Sequence, residues 1–393
     1  MRTEADNTKP KLCFIVPSYS RTDATHFYHV YDLISELAKR FDIFLIVEKG
    51  ELPDDDLGCA RAVCIHSRRF IFRWCELHWW LLTARFLGYK DAYVHYSFLG
   101  AIATSIVMRP TGGMVAYWNC GEPWKYKRSM VRDWFEHLAY DAVSFLVTGT
   151  EGLGKKYSEV YGIPAKRIKI MPNWISLKRF TPLEKNHPSA TGAVPSAGRS
   201  LAGFIAPPAD SLRETLHLGN DKVVLFVHRL SKRKGALHLP AIAKGIYPHR
   251  LLIIGEGPEL PSLTNVFREE SIGNMRILGV VPNSELPRYY SIASALIIPS
   301  EEEGFPRVML EAAALGVPFT AFDVGGIREV IPERLRAYLA PGGDIKTLIA
   351  HAKTLIELMP DKRASLSGEL HEWVKQFDLP IVADRFTDII LHQ

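Results

Sequence analysis

Short apolar runs alternate with helical periodicity along the first half of the chain. The spacing predicts seven strands with helices in the gaps between them. The predicted strands are Leu12–Pro17, Ile43–Val47, Ala62–Ile65, Ala92–Tyr96, Met114–Trp118, Ser144–Thr148 and Ile168–Met171. One intervening helix is predicted over Ala24–Lys39, where apolar side chains recur every three or four positions. This alternation is typical of right-handed βαβ units that share one parallel sheet.

The same alternation starts again after residue 220. It predicts five further strands, which are Val223–Val227, Leu251–Ile254, Met275–Leu278, Ala295–Ile298 and Pro318–Phe322. The predicted fold class is therefore α/β, with two Rossmann-like, doubly wound parallel-sheet domains. Ligands of such sheets bind beyond the carboxyl ends of the strands, so we expect the two domains to face each other across a cleft.

Domain boundaries follow from the segment 184–208, which is rich in Pro, Ala, Gly and Ser and has almost no periodicity. We interpret it as a flexible part of a linker over residues 177–220. Residues 1–176 then form an N-terminal domain and residues 221–377 a C-terminal domain. A helix predicted over residues 378–393 is expected to cross back to the N-terminal domain.

Bulk properties are those of a globular protein. The chain has 393 residues, of which 47% are hydrophobic and 23% charged, and a single core stops growing near ~250–300 residues. The polar start MRTEADNTKP does not predict a signal peptide, and no apolar run approaches the ~18 residues of a membrane span. Five scattered cysteines indicate a reducing compartment, so we expect a cytoplasmic protein.

Positive charge is concentrated in the first half. Residues 61–132 contain 11 Lys and Arg but 3 Asp and Glu, which predicts an acidic partner. Within this stretch, residues 68–86 mix Arg with many aromatic residues. That composition favours a helix at the surface of an anionic membrane, on its cytoplasmic face. The alternative is a partly buried helix between two strands. No nucleic-acid recognition motif is present.

Two carboxylates flank the start of a predicted helix in the second half. Glu303 follows the strand Ala295–Ile298, and Glu311 lies eight positions later in a helix that we expect to begin at about Pro306. The N-terminus of a helix suits a phosphate, and carboxylates suit the hydroxyl groups of a sugar. The pattern therefore predicts a site for a sugar nucleotide.

Two cations close the first strand of the same domain. Arg229 and Lys234 lie in the segment Val227–Gly235, at the end of the strand where a ligand is expected. Fixed cations there would stabilise the charge that develops on a departing diphosphate. The alternative is a solvated basic loop. The glycine turn Gly255–Pro258, after the next strand, would form another wall of the site.

These segments resemble the donor domain of the family-4 glycosyltransferases, which are retaining enzymes of the two-Rossmann-domain (GT-B) architecture. The resemblance covers about residues 171–183 and 221–335. The matching motifs are Met171-Pro-Asn-Trp-Ile-(x3)-Arg179-Phe, Arg229-Leu-(x3)-Lys234-Gly, Gly255-Glu-Gly-Pro, Leu278-Gly-(x10)-Tyr290, Pro299-Ser-(x2)-Glu303-Gly-Phe-Pro-(x4)-Glu311-Ala-(x3)-Gly316-Val-Pro and Asp323-Val-Gly-Gly-(x2)-Glu329.

The resemblance implies transfer of a hexosyl group from a nucleotide sugar to a glycan or lipid-linked acceptor. It implies no metal and no cofactor beyond the nucleotide-sugar co-substrate, whose base it does not identify. In the donor domain it assigns Arg229 and Lys234 to the diphosphate, Glu311 to the ribose and Glu303 to the donor sugar. It also assigns phosphate or sugar contacts to the backbone at Gly304, Phe305, Pro306 and Arg307, where every residue except the proline has an N–H group to donate.

One donor-side residue departs from the family. His228 stands where a glycine usually precedes the arginine, and we expect it to line the donor site. The alternative is a packed histidine at the end of a strand.

The N-terminal, acceptor-side domain matches the family less well. The loop Ser18–Thr25 has no glycine, although the family commonly has a glycine-rich loop there. Asn119 stands where the family has a sugar-contacting histidine, and His95 is a second candidate. Glu122 is a third. With Glu303 they are the predicted catalytic residues. A structural role for His95 and a solvated loop around Glu122 are the alternatives.

The remaining polar clusters do not favour a metal. Asp54–Asp56 is expected to be a solvated loop, and the His26 and His29 pair is expected to pack. Two rival functions stay open. One is a nucleotide-sugar 2-epimerase of the same architecture, and the other is a non-catalytic protein that binds a nucleotide sugar or a glycolipid.

Overall fold

The computed structural model describes residues 9–20, 28–52, 57–126, 129–181 and 209–392. It divides into two compact units, residues 1–172 with 379–393 and residues 173–378. Several predictions lie outside the described residues: the flexible segment 184–208, the cluster Asp54–Asp56, His26, and the part of the glycine-free loop after Ser20.

The first unit contains one seven-stranded parallel sheet. Its spatial order is β3-β2-β1-β4-β5-β6-β7. The strands are β1 (Lys11–Val16), β2 (Asp42–Val47), β3 (Arg61–Cys64), β4 (Asp91–His95), β5 (Val115–Trp118), β6 (Phe145–Thr148) and β7 (Ile168–Ile170). All seven predicted strands are confirmed to within about one residue at each end. The central strands are buried along nearly their whole length, which explains why they are continuous apolar runs rather than alternating ones.

Helices connect these strands. They are α1 (Tyr28–Leu37), α2 (Phe70–Phe86), α3 (Phe98–Met108), α4 (Met130–Ala142) and α5 (Glu151–Tyr161). Single 3₁₀ turns lie at Arg109–Thr111, Pro123–Lys125 and Ala165–Arg167. Helix α3 packs against α2 on one side and α4 on the other. The three helices therefore form one layer over the sheet.

The second unit contains a six-stranded parallel sheet in the order β10-β9-β8-β11-β12-β13. The strands are β8 (Val223–Val227), β9 (Arg250–Ile254), β10 (Met275–Gly279), β11 (Ala295–Ile298), β12 (Phe319–Phe322) and β13 (Leu339–Ala340). The first five were predicted. The two-residue strand β13 was not, because two residues are too short for a periodic pattern.

The helices of the second unit are α6 (Ala209–Thr215), α7 (Leu239–Gly245), α8 (Leu260–Glu269), α9 (Leu286–Ser291), α10 (Arg307–Ala314), α11 (Ile327–Val330), α12 (Ile345–Ile356) and α13 (Pro360–Val374). Further 3₁₀ segments lie at Lys232–Lys234, Ala236–His238, Glu333–Tyr338 and Lys375–Phe377. Helix α6 falls within residues 177–220, where we predicted a linker, so the end of that segment is helical.

The C-terminal helix α14 (Leu379–Leu391) belongs to the first unit and packs on α1. Arg40 pairs with Asp384 at 2.6 Å, and the ring of Phe386 lies 6.2 Å from that of Phe14 in β1. Within the described residues, no helix is both long enough and apolar enough to cross a membrane.

Each sheet has one point where the strand order reverses. In the first unit it lies between β1 and β4, and in the second between β8 and β11. At such a switch point the loops leave in opposite directions and open a crevice beyond the carboxyl ends of the strands. These two edges are where ligands are expected.

Candidate functional site

The crevice of the second unit is closed on one side by a contact that only glycine permits. Gly235 has φ 75°, and a Cβ atom there would lie 1.9 Å from the carbonyl oxygen of Pro299. The turn after β8 therefore packs directly against the loop after β11. This approach brings Lys234 to Glu303 although the two residues are 69 positions apart.

A second glycine brings the turn after β9 to the same place. Gly255 has φ 135°, and a Cβ atom there would lie 2.0 Å from the carbonyl oxygen of His228. The loops after β8, β9 and β11 thus share one edge, as the sequence predicted for the Gly255–Pro258 turn.

Glu303 is the centre of this edge. It is 6% exposed and accepts contacts from Lys234 Nζ at 2.9 Å and His228 Nε2 at 3.3 Å, both on Oε1. Burial raises the pKa of its carboxyl. The charge of Lys234 and the hydrogen bond from His228 outweigh burial, and the pKa falls to about 2. Glu303 is therefore ionised at neutral pH, and Oε2 remains for a ligand hydroxyl group.

His228 holds that carboxylate with a neutral ring. Its Nδ1 accepts the backbone N–H of Arg229 at 2.8 Å, so the ring proton is on Nε2, which donates to Glu303. Burial lowers the pKa of His228, and so does the nearby charge of Lys234. The contact with Glu303 raises it, but the net direction is downward. The ring is thus part of the site's wall. Its contact with a donor stays a prediction.

The two predicted cations keep free hydrogen-bonding capacity. Lys234 donates to Glu303 and, at 3.4 Å, to the carbonyl oxygen of Glu302, which leaves one of its three N–H donors. Arg229 is exposed at the end of β8, and its guanidinium forms no ion pair with the residues that the structure describes. Both cations can therefore bind an anion at this edge.

Glu311 lies in α10 and is 5% exposed. Its Oε2 accepts the hydroxyl of Tyr290 at 2.8 Å, and its Oε1 lies 3.3 Å from Nη2 of Arg307. Burial and the charge of Glu311 raise the pKa of Tyr290, so the phenol keeps the proton that it donates. The motif containing Tyr290 was recognised in the sequence, but its role was not, because the partner lies on another helix.

The loop between the two carboxylates is anchored by Phe305. Its ring is buried 5.2 Å from that of Phe377, and its carbonyl oxygen accepts Nδ2 of Asn173 at 2.6 Å. The side chain of Phe305 therefore belongs to the core, and only its backbone could face a ligand. Helix α10 follows Pro306 without a capping side chain. This leaves its first N–H groups for an anion. The predicted contacts of Gly304, Pro306 and Arg307 stay predictions.

In the first unit, Asn119 is committed to internal hydrogen bonds. It is 7% exposed, its Nδ2 donates to the hydroxyl of Tyr140 at 3.0 Å, and its Oδ1 accepts the backbone N–H of Gly121 at 3.0 Å. This arrangement fixes the loop after β5. A sugar contact would use the remaining capacity of the amide, and it stays a prediction.

His95 and Glu122 are also buried. His95 has no exposed surface, lies 3.1 Å through Nδ1 from the hydroxyl of Tyr93 and stacks on Trp118. This burial favours the alternative that His95 has a structural role rather than a catalytic one. Glu122 is 7% exposed and pairs with Lys125 at 2.9 Å. The alternative of a solvated loop at Glu122 is therefore wrong, because the carboxylate is covered and paired, and its catalytic role stays a prediction.

Comparison with known proteins bears on the second unit. Residues 209–369 match the model of the family described as Glycosyl transferases group 1. The second unit resembles a glycosyltransferase. The D-inositol 3-phosphate glycosyltransferase of Thermobispora bispora is 27% identical over 268 residues, which cover 65% of this chain and 57% of that protein. A GDP-mannose-dependent alpha-(1-6)-phosphatidylinositol monomannoside mannosyltransferase of Mycobacterium tuberculosis is 25% identical over 246 residues, 60% of this chain and 57% of that protein. The chain spans little more than half the length of these relatives.

Solved structures extend the likeness to both units. Anabaena Alr3699/HepE, in complex with UDP and glucose, superposes with a TM-score of 0.75 at 17% identity, over 97% of this chain and 99% of that chain. Sucrose-phosphate synthase from Thermosynechococcus elongatus superposes with a TM-score of 0.74 at 19% identity, over 97% of this chain and 98% of that chain. The predicted fold class, two Rossmann-like domains of the GT-B type, is confirmed. The chain therefore has a GT-B fold, and its second unit is similar to a family of glycosyltransferases.

A separate surface is formed by α2 in the first unit. One side of this helix is buried through Leu77, Leu81 and Ala84. The opposite side is a stripe of uncharged exposed residues at helical spacing. We call it the α2 stripe, and its residues are Ile71, Cys75, Trp79, Leu82 and Phe86.

Neighbouring features extend the apolar character of this surface. Trp79 is 66% exposed and Phe86 92% exposed. On the adjacent helices, Ile106 and Trp134 are exposed as well. Arg85 turns away, with Nε 2.7 Å from Oγ1 of Thr111. The predicted helix is therefore present with one face packed and the other exposed, and its contact with a membrane stays a prediction.

Proposed function

We propose that this protein transfers a sugar from a nucleotide-sugar donor, bound at the switch point of the second unit, to a hydroxyl group of an acceptor. The observation that carries the proposal is the arrangement of Glu303, Lys234 and Arg229 at one edge. It combines an ionised, buried carboxylate with two cations that retain donors. A ligand with a sugar next to a diphosphate matches that set.

Each residue has a distinct role in this proposal. Arg229 and the remaining donor of Lys234 bind the diphosphate and stabilise its charge as it departs. Glu303, fixed by Lys234 and His228, accepts a hydroxyl of the donor sugar through Oε2. Glu311, oriented by Tyr290, accepts a ribose hydroxyl. The fixed geometry limits the reorganisation that the transition state requires.

The finer chemistry follows the resemblance. We infer that a hexosyl group is transferred with retention, by front-face attack in which the departing phosphate helps to deprotonate the acceptor. No metal is needed, because Arg229 and Lys234 supply the positive charge. Among the described residues, no cluster of three or more His, Cys, Asp or Glu side chains could hold one. Full activity in the presence of EDTA is the expected result.

The acceptor is a glycan or a lipid-linked sugar, and the α2 stripe supports a lipid-linked one. Exposed aromatic and aliphatic side chains along one helix favour insertion at a membrane interface, and nearby Arg68 and Arg69 favour anionic headgroups. We infer peripheral attachment on the cytoplasmic face. Each large side chain that leaves water contributes about 1.5–3 kcal/mol to such binding.

Vesicle flotation tests the attachment. Trp79→Ser and Leu82→Ser should together lower binding to anionic vesicles by more than tenfold. Met359→Ser removes a side chain of the second unit that is 66% exposed, and it should leave binding unchanged. Equal binding by both variants would contradict the role of α2.

Donor use is tested by thermal shift with UDP-, GDP- and ADP-sugars, followed by mass spectrometry of products formed with glycan and lipid-linked acceptors. We expect one class of donor to raise the melting temperature, since a bound ligand stabilises the fold by mass action. Product should then form only with an acceptor. Lys234→Ala should abolish the shift, whereas Lys232→Ala, on the same turn, should retain it.

The rival functions give other results in the same assay. Appearance of an epimeric nucleotide sugar without acceptor would indicate the 2-epimerase. Donor binding without product from any acceptor would indicate a binding protein. Absence of any donor-induced shift would overturn the proposal.

A further inference from the structure

The first unit has a pocket of about 400 Å³ at its own switch point. It is lined by residues that follow three strands: Pro17 after β1, Glu48 and Lys49 after β2, and Tyr96 and Ser97 after β4. A larger hollow of about 630 Å³ lies at the other edge of the sheet, beside the starts of β1 and β4. Ligands of doubly wound sheets bind beyond the carboxyl ends of the strands, so the smaller pocket is the better candidate.

The charged residues of this pocket favour an anion. Its lining includes Lys49, Arg68 and Arg73, against the one carboxylate of Glu48. Arg73 is already paired with Glu48, through Nη2 to Oε2 at 3.4 Å and to the carbonyl oxygen at 2.9 Å. Glu48 also accepts the hydroxyl of Ser97. The single negative charge is therefore compensated within the wall.

Two cations of the lining remain available. Lys49 and Arg68 are exposed, and neither forms an ion pair with any residue that the structure describes. They stand on different elements, one in the loop after β2 and the other just before α2. Cations on two sides of a pocket can contact separate oxygens of one phosphate group.

Aromatic rings complete the pocket at the start of α2. Phe70 and Trp74 of α2 line it, and Phe70 is also 63% exposed. Ile71 and Phe72 follow Phe70 and are 72% and 61% exposed, so apolar surface borders the pocket at the start of the helix, whereas Leu77 in the lining faces the side opposite to the α2 stripe. Tyr96, at the mouth of the crevice, has φ 53°, a left-handed conformation that is uncommon for a non-glycine residue and clusters at functional sites.

We propose that this pocket binds the phosphate or diphosphate group of an acceptor whose apolar part lies against the exposed start of α2, at Phe70 to Phe72, with Lys49 and Arg68 as the ligands of the phosphate. The inference rests on the proposed function, because it names the chemical class of the acceptor. It places the charged group of a lipid-linked sugar in the pocket and its hydrocarbon chain on the exposed helix.

The test is a calorimetric titration of the full-length protein with inorganic pyrophosphate. The background variant carries Arg229→Ala and Lys234→Met, which removes the donor-side cations so that remaining binding reports on the first unit. Arg68→Ala and Lys49→Ala should each weaken pyrophosphate binding about tenfold, the change expected of one charge-assisted hydrogen bond. The matched control is Arg69→Ala, which removes the same charge from an exposed neighbour that does not line the pocket.

The outcomes distinguish binding of pyrophosphate in the pocket from general attraction to positive charge on the surface. Binding that survives Arg69→Ala within twofold and falls with Arg68→Ala supports the pocket. Equal effects of the two variants, or no binding in the background variant, would overturn it. Lys49, Arg68 and Arg69 are exposed, so their substitution spares the core, and the destabilising Lys234→Met is common to all the variants that are compared.

Two further ligands distinguish the sources of the phosphate. A short-chain polyprenyl diphosphate in detergent should bind more tightly than a water-soluble sugar 1-phosphate, and Phe70→Ala should weaken only the former. Equal binding of both ligands would contradict the apolar part of the proposal. Donor binding to the wild-type protein is measured separately, so failure of the donor site and failure of this pocket give different results.

Discussion

The pair of Lys234 and Glu303 allows a quantitative prediction for the variant Lys234→Met. The carboxyl of Glu303 has a pKa of about 2 in the folded protein, against an ordinary value of 4.5. At ~1.4 kcal/mol for each pH unit, the surroundings favour the ionised form by about 3 kcal/mol. Lys234 supplies much of this, because its charge is the largest of the effects that lower the pKa. We therefore expect Lys234→Met to reduce the free energy of unfolding by about 2–3 kcal/mol at pH 7.

The effect of Lys234→Met on stability should depend on pH. The folded pKa of Glu303 is depressed, so the stabilisation is fully present above about pH 4.5 and is lost as the pH falls towards 2. The difference between the wild-type protein and Lys234→Met should therefore be largest near neutral pH and shrink in acid. Urea unfolding followed by circular dichroism at pH 7, 5, 4 and 3 measures it.

Two variants serve as controls. Lys232→Met removes an exposed lysine from the same turn and should change stability by less than ~0.5 kcal/mol. The double variant Lys234→Met with Glu303→Gln should recover part of the lost stability, because no unpaired charge is left buried. The reasoning is refuted if Lys234→Met is as stable as Lys232→Met, or if its effect does not depend on pH.

Three further predictions concern the same unit. Tyr290→Phe leaves the buried carboxylate of Glu311 without its phenol donor, and calorimetry should show about tenfold weaker nucleotide binding, with ~1–2 kcal/mol lost in urea unfolding. Unchanged binding would remove Glu311 from the site. Gly235→Ala places a Cβ atom 1.9 Å from the carbonyl oxygen of Pro299 at φ 75°, and thermal unfolding should show a loss of more than ~2 kcal/mol. Wild-type stability would contradict that contact. The pKa of His228 is lowered in the folded protein, so below about pH 6.5 the unfolded chain takes up a proton at this histidine that the folded chain does not. The wild-type protein therefore loses stability as the pH falls from 6.5 to 5, and His228→Asn should make that loss smaller.

The placement of the candidate donor-site residues was largely predictable because the pattern that indicates them is local in sequence, whereas their binding of a donor stays a prediction. The strand ends, the helix start and the charged residues beside them lie within short windows, and parallel sheets bring such windows to one edge. Arg229, Lys234, Glu303 and Glu311 were all identified in this way. The sequence could not indicate that Gly235 packs on Pro299, since that contact joins loops 64 residues apart.

The first unit was less predictable because its side chains acquire their roles from tertiary packing. His95 reads as a strand-end histidine, yet the ring stacks on Trp118 of the neighbouring strand and has no exposed surface. The pocket at its switch point was not predicted either. Its cations, Lys49 and Arg68, follow different strands and come together only through the order of the sheet.

The central claim is that the switch point of the second unit binds the diphosphate of a nucleotide sugar. Titration calorimetry with UDP, GDP and ADP tests it most directly, on the wild-type protein, Arg229→Ala and Lys232→Ala. The account predicts that one of the nucleotides binds, that Arg229→Ala weakens its binding about tenfold or more, and that Lys232→Ala leaves it within twofold. Equal affinity of the wild-type protein and Arg229→Ala, or no binding of any of the three nucleotides, would contradict it.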